Sequence, residues 1–100
     1  MAEKHFIVSY DYGEDYLESR TPFRAGHLQL AREAAARGEL VLGGAFPEAP
    51  FGGLLIFKGE TDAPARAFVD ADPYVKNGVV KGWRIREWTT VVGEGALTKV

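Results

Sequence analysis

The sequence predicts an α+β fold whose elements follow the order β-α-β-β-α-β. Three observations predict it: an alternating segment at the start, two segments with helical spacing, and β-branched or aromatic runs between and after them. Hydrophobic residues make up 46% and charged residues 26% of the chain, as is usual for globular proteins. With 100 residues, we expect a single domain that spans residues 1–100.

The first strand is predicted from Lys4 to Tyr12, because aromatic and β-branched residues recur there with a period of two. Turn-forming residues follow in "DYGEDYLESRTP". A helix is then predicted from Pro22 to Arg37, where apolar positions recur at helical spacing. Thr21 is its candidate N-cap, and Gly38 suits the left-handed conformation that ends many helices.

Two short apolar runs, "ELVLGGAF" and "GGLLIFKG", predict an antiparallel pair joined by the loop "PEAPF". The segment "TDAPARAFVDAD" predicts a second, short helix with Thr61 or Asp62 as its cap. We expect Ala63, Ala67 and Phe68 to face inward from this helix.

The last strand is predicted from Val79 to Val92, with a bulge near Glu87 where the apolar phase changes. The complete order is that of the ferredoxin-like fold, a four-stranded antiparallel sheet with two helices on one face. The other face carries one of the two alternating sets of the first strand, and both sets include apolar side chains. Because monomers rarely expose an apolar sheet, we predict a homodimer that packs sheet on sheet.

Composition excludes several classes of protein. A formal net charge of −2, with scattered lysines and arginines, predicts no nucleic-acid partner and no membrane partner. The absence of cysteine excludes disulfides, thiolate metal sites and a thiol nucleophile. No apolar run reaches membrane-spanning length, and "MAEKHFIVSY" lacks a signal-peptide core. We therefore expect a cytoplasmic protein.

His27 is the first candidate for chemistry, because helical spacing places it between Phe23 and Leu30 on an apolar stripe. A titratable ring in that position needs a hydrogen-bond partner, and a purely structural histidine fits the spacing equally well. Arg24 precedes His27 by three residues, and Arg20 precedes Arg24 by four. The two arginines form either a cationic edge beside the imidazole or a solvated face, which is the commoner case.

Asp72 is the second candidate, and its common role before Pro73 would be to shape a turn or cap a helix. The alternative is that the turn brings its carboxylate to His27, since both helices lie on the same sheet face. A carboxylate on one imidazole nitrogen fixes the tautomer and raises the basicity of the other nitrogen, as a general base requires. Both readings remain open at this point.

Other motifs are less informative. Tyr74 offers a phenol near the same turn, although a packing role is commoner there. The pairs Gly43–Gly44 and Gly52–Gly53 match neither a phosphate loop nor a dinucleotide fingerprint, and such pairs commonly mark bulges and turns. His5 and His27 are the only histidines, and neither has a carboxylate at ligand spacing, so no metal site is expected.

The stretches "HFIVSYDY", "TPFRAGHLQLAREAAARGELVLGGAF", "AFVDADPYVKNGVV" and "WRIREW" together resemble the YciI-like family, also called the YCII-related domain. The resemblance covers nearly the whole chain, and "ADPYVKNGVV" is its most specific part. It implies a dimeric α+β barrel related to the ferredoxin-like fold, with a site built on a His-Asp pair. By motif, His27 and Asp72 take the positions of that pair, and Arg24 and Tyr74 match further motif positions.

The resemblance also implies a function without a cofactor, similar to a dehydrochlorinase acting on a chlorinated hydroxyhydroquinone. We therefore expect a lyase or isomerase in which His27 moves a proton on a small, cyclic or aromatic metabolite. Asp72 would orient His27, and Arg24 and Tyr74 would contact the substrate. The alternative is a non-catalytic dimeric domain that binds a metabolite or serves another enzyme. Four aromatic residues are candidates either for lining such a pocket or for ordinary core: Phe46, Phe51, Trp83 and Trp88.

Overall fold

One antiparallel sheet with helices packed on one face forms the structure, a computed structural model that describes residues 2–100. Its elements in chain order are β1 (Lys4–Tyr12), α1 (Tyr16–Ser19), a 3-10 turn (Thr21–Phe23), α2 (Arg24–Ala36), β2 (Leu40–Ala45), β3 (Gly52–Gly59), α3 (Ala63–Ala71), α4 (Pro73–Lys76) and β4 (Val80–Trp88). The strands lie in the order β2-β3-β1-β4. The predicted α+β class and ferredoxin-like order are confirmed, and α1 and α4 are additional single turns.

β1 occupies the inside of the sheet, antiparallel to both β3 and β4. Its alternation predicted the strand to the residue: Phe6, Val8 and Tyr10 are buried under the helices. Ile7 and Asp11 point to the opposite face, as the period of two requires. Tyr10 thereby projects from the middle of the sheet toward α2 and the turn that follows α3.

The first helix begins later than predicted, because a 3-10 turn precedes α2. Thr21 is not its cap: its hydroxyl donates a hydrogen bond to the carbonyl of Leu17. At the other end the prediction is confirmed, since Gly38 has a φ of 80° and its N–H donates to the carbonyl of Ala35. The buried stripe of α2 carries His27 and Ala34.

The last strand is shorter than predicted and its bulge lies elsewhere. β4 ends at Trp88, and its pairing with β1 is regular at Glu87. The register shifts where Asp11 and Tyr12 face Gly82 and Val80, so Lys81 is the extra residue. The bulge was predicted near Glu87 because the apolar residue Trp88 was assumed to face the core. Trp88 instead lies on the sheet face opposite the helices.

The second helix ends where Pro73 prevents its continuation. Asp72 adopts an extended conformation with ψ of 119°, as the residue before a proline prefers, and α4 begins directly afterwards. The inward residues of α3 are Ala65, Phe68 and Val69, so the assignment of Ala63 and Ala67 to the core is wrong. Of the two predicted caps, Asp62 occupies the N-cap position but its side chain makes no capping hydrogen bond, and the N–H of Ala63 donates to the hydroxyl of Thr61, which lies one residue earlier.

The face of the sheet opposite the helices is rich in apolar side chains. We call this set the open-face patch, and it consists of Leu42, Phe46, Leu54, Ile56 and Trp88. Leu42 is 71% exposed and Phe46 is 52% exposed. Ile7 lies beside the patch, opposite Ile56. Within residues 2–100, no helix is both long and apolar enough to cross a membrane.

Candidate active site

The imidazole of His27 lies at the start of α2, wedged between that helix and the short helix α4. Its ring stacks on the ring of Tyr74 with 3.8 Å between centroids and 5° between planes. The ring of Phe68 approaches it edge-on at 6.1 Å. These contacts bury the side chain of His27 and restrict its rotation, so the direction of its two nitrogens is set by packing.

Asp72 is fully buried and accepts hydrogen bonds from three directions. Nδ1 of His27 lies 2.9 Å from Oδ1 and 3.0 Å from Oδ2. The Tyr10 hydroxyl donates to Oδ2 at 2.8 Å, and the backbone N–H of Tyr74 donates to Oδ1 at 3.0 Å. The turn at Asp72 and Pro73 therefore has two consequences: the Asp72 carboxylate caps α4, and it contacts His27.

This arrangement determines how His27 carries its proton when the ring is neutral. An ionised carboxylate only accepts hydrogen bonds, so we infer that Nδ1 donates and that Nε2 carries the lone pair. Nε2 has no hydrogen-bond partner within the described residues. It is also not fully buried, so it can be reached from outside the protein. The basic nitrogen is therefore accessible from the cavity that His27 lines.

The tyrosines around the pair remain hydroxyl donors at neutral pH. Burial raises the pKa of the Tyr10 hydroxyl, and the neighbouring Asp72 charge raises it further. Burial likewise raises the pKa of Tyr12 and raises that of Tyr74 to about 12. Tyr10 therefore stays protonated and keeps donating its hydrogen bond to Asp72.

A cavity of about 370 Å³ opens beside His27, between α2 and the outer part of the sheet. Its walls are formed by aromatic rings, small side chains and arginines: Tyr12, Tyr16, Arg20, Arg24, His27, Leu28, Ala31, Arg32, Ala35, Leu40, Gly43, Gly44, Ala45, Leu55 and Tyr74. The rings of Tyr12 and Tyr16 are parallel, with centroids 4.1 Å apart. The volume suits a small organic molecule with a planar ring.

Of the residues singled out in the sequence, the structure brings together His27, Asp72 and Tyr74, and it places Arg24 on the cavity wall. The four aromatic candidates lie elsewhere: none of Phe46, Phe51, Trp83 and Trp88 lines this cavity. Gly43 and Gly44 do line it. No group of three or more His, Asp or Glu side chains able to hold a metal occurs in residues 2–100.

Sequence reasoning missed the role of the first strand and of the segment after it. Tyr10 bonds to Asp72, and Tyr12 and Tyr16 form a cavity wall. The available signal was Tyr10 itself, since it falls on the buried face and a buried phenol needs a hydrogen-bond partner. Arg32 also lines the cavity and was not singled out.

Comparison with known proteins gives a family and a fold. The model of the YCII-related domain matches residues 4–89 of the chain. No curated protein matches it.

Several solved structures are similar to the chain. The 5-chloro-2-hydroxyhydroquinone dehydrochlorinase from Burkholderia phenoliruptrix, in complex with 2,5-dihydroxybenzoquinone, has a TM-score of 0.71 and 21% identity, covering 86% of this chain and 94% of that one. A cofactor-independent oxygenase from Streptomyces nogalater has a TM-score of 0.57 and 11% identity, covering 95% and 99%. A NIPSNAP family protein from Agrobacterium tumefaciens has a TM-score of 0.57 and 12% identity, covering 94% and 96%. At these identities the similarity shows the fold, that of the α+β barrel proteins.

Proposed function

This chain belongs to the YCII-related domain family, and we propose that it is an enzyme that transfers a proton on a small, cyclic or aromatic metabolite. One observation carries the proposal: Nδ1 of His27 contacts the buried Asp72 carboxylate, while Nε2 is accessible in a cavity of substrate size. An oriented imidazole with one free nitrogen is the arrangement of a general base.

In the proposed reaction, Nε2 of His27 takes a proton from an O–H or C–H group of the substrate. The ring becomes imidazolium, and the Asp72 carboxylate, 2.9 Å from Nδ1, stabilises its positive charge. Negative charge develops on the substrate, beside Arg24. The proton then returns to another substrate atom in an isomerisation, or an anionic group leaves in an elimination and the proton passes to water.

Tyr74 and Arg24 would contact the substrate in this scheme. Tyr74 stacks on His27 and also lines the cavity, so a substrate ring that reaches Nε2 meets the tyrosine. Arg24 lies on the exposed side of α2, three residues before His27. The scheme requires no cofactor, because proton transfer with isomerisation or elimination moves no electrons to or from an external carrier.

The fold neighbours support a role on small molecules. One is a dehydrochlorinase bound to 2,5-dihydroxybenzoquinone, and another is a cofactor-independent oxygenase. Hydroquinones and hydroxybenzoquinones are therefore the first compounds to offer to this protein.

The proposal is tested by a thermal-shift screen of such compounds, followed by mass spectrometry of each ligand after incubation. We expect at least one compound that stabilises the protein to be converted to an isomer or to lose an anionic group. Recovery of every bound compound unchanged would contradict an enzyme of this class and favour the non-catalytic binding domain.

We also propose that the protein is a homodimer joined through the open-face patch. The patch is apolar and lies on a sheet face that none of the helices in residues 2–100 covers, and two copies related by a two-fold axis would cover each other's patches. A lone sheet face of this kind would otherwise leave Leu42, Phe46 and Trp88 in water.

Leu54→Asp is expected to convert the dimer to a folded monomer, because it places a charge within the patch on a side chain already 40% exposed. Sedimentation velocity at micromolar concentration measures the change. Leu17→Asp is the matched control, since Leu17 is 54% exposed on α1 and lies outside the patch. A monomeric wild-type protein would contradict the proposal.

A further inference from the structure

The charges that line the cavity are all of one sign. Arg20, Arg24 and Arg32 contribute guanidinium groups to its wall, and no aspartate or glutamate among residues 2–100 lines it. Within the described residues, none of the three arginines forms an ion pair with a carboxylate. The chain as a whole has a formal net charge of −2, so this excess of positive charge is local to the cavity.

Arg20 is held in place by the aromatic wall. Its Nη1 donates to the hydroxyl of Tyr16 at 3.1 Å, and its guanidinium carbon lies 4.8 Å from the centre of the same ring. Tyr16 in turn stacks on Tyr12. A guanidinium fixed in this way loses little conformational freedom when it binds an anion, which favours a strong and directional contact.

Arg20 and Arg24 lie toward the end of the cavity that contains His27. Both positive charges act on the Tyr74 hydroxyl and lower its pKa, against the larger effect of burial. The Tyr74 ring is the one that stacks on His27. Arg32 is two turns further along α2, about 12 Å from Arg24 along the helix axis. Two guanidiniums therefore border the reacting end of the cavity, and the third lies at the far end.

We propose that the substrate carries a carboxylate, and that Arg20 and Arg24 bind it beside the ring on which His27 acts. This inference rests on the proposed function, because it names the substrate class of the same cavity. The planar fork of a guanidinium matches a carboxylate through two parallel hydrogen bonds. A carboxylate held there leaves the attached ring beside the tyrosine wall, at the end of the cavity that contains His27.

The arrangement also has a consequence for the reaction. When Nε2 removes a proton from an atom conjugated with the carboxylate, negative charge spreads onto the carboxylate oxygens. The two guanidiniums then stabilise the charge that develops during the reaction as well as the charge of the free substrate. Arg20 and Arg24 would thus contribute both to affinity and to rate.

Binding of benzoate and of its neutral isostere benzamide tests the proposal directly. We expect the wild-type protein to bind benzoate at least about tenfold more tightly than benzamide in an NMR titration, since each hydrogen bond to a charged group contributes that much. Arg20→Gln and Arg24→Gln should each reduce this preference, because benzoate loses a hydrogen bond between two charged groups whereas benzamide loses a weaker one. Arg37→Gln is the matched control, because Arg37 is an exposed arginine that pairs with Glu39 outside the cavity.

Equal affinities for the two compounds, no binding of benzoate at millimolar concentration, or a preference that persists in both arginine variants would each overturn the proposal. Failure of the proposed enzymatic function can be distinguished from failure of the anion site. If the benzoate preference depends on Arg20 and Arg24 but no carboxylate ligand is ever converted, the anion site stands and catalysis does not. If only neutral compounds are converted, catalysis stands and the anion site is wrong.

Discussion

Replacing His27 with glutamine is expected to lower kcat for the converted substrate by about 10²- to 10⁴-fold, the usual contribution of a positioned general acid–base. Glutamine is close to histidine in size, and its amide can still donate to Asp72. It has no nitrogen that accepts a proton at neutral pH, so the proton-transfer step loses its base. Steady-state kinetics measures the effect, and circular dichroism checks that the fold is retained.

His5→Gln is the control for this change, because His5 is the other histidine of the chain and is also buried. Its Nδ1 lies 2.8 Å from the Thr90 hydroxyl, at a site away from the cavity. We expect kcat of the His5 variant to equal that of the wild type. Wild-type kcat in His27→Gln would contradict the catalytic role of His27, whatever the variant's affinity for the ligand.

The order of strands and helices could be predicted because each depends on local pattern. The alternation in β1 gave its bounds, and Gly38 marked the end of α2. The single turns α1 and α4 were missed, since four residues carry too little periodicity to separate a helical turn from a loop. The bulge was misplaced because Trp88 is apolar, and an apolar residue was taken to face the core. Alternation alone does not say which face of the sheet is buried.

The candidate site could be predicted in part for the same reason. A histidine on a helical stripe and an aspartate before Pro73 are local signals, and the structure puts them in contact. The hydrogen bond from Tyr10 to Asp72 joins residues 62 positions apart, which no local pattern encodes. The sequence shows the arginines that line the cavity. It does not show that they form no ion pair with a carboxylate within residues 2–100, because that depends on which residues the fold brings near them.

Replacing Asp72 with asparagine is expected to lower both stability and kcat. In the native structure its two carboxylate oxygens accept hydrogen bonds from His27, the Tyr10 hydroxyl and the Tyr74 N–H. An asparagine of the same size offers one oxygen and adds a donor, so at least one buried donor loses its acceptor. We expect the free energy of unfolding to fall by about 1–3 kcal/mol, measured by urea denaturation.

The control for stability is Asp62→Asn. Asp62 forms an ion pair with Arg66 on the surface of α3, with 2.9 Å between Oδ2 and Nε, and both side chains remain partly exposed. A surface pair of this kind contributes about 0.2–1 kcal/mol, and its loss should therefore cost less than the change at Asp72. Equal losses for the two variants would contradict the importance assigned to burial of the Asp72 carboxylate.

Loss of stability alone would fit an aspartate that only caps α4, so the decisive readout for Asp72 is the tautomer of His27. In the wild type, nitrogen NMR of the neutral ring should show the proton on Nδ1, because Asp72 accepts from that atom. In Asp72→Asn the side-chain amide can donate to Nδ1, and the proton should move to Nε2. That change removes the lone pair that the substrate proton needs, and kcat should fall by about 10²- to 10⁴-fold. An unchanged tautomer together with unchanged kcat would reduce Asp72 to a helix cap and leave His27 without an orienting partner.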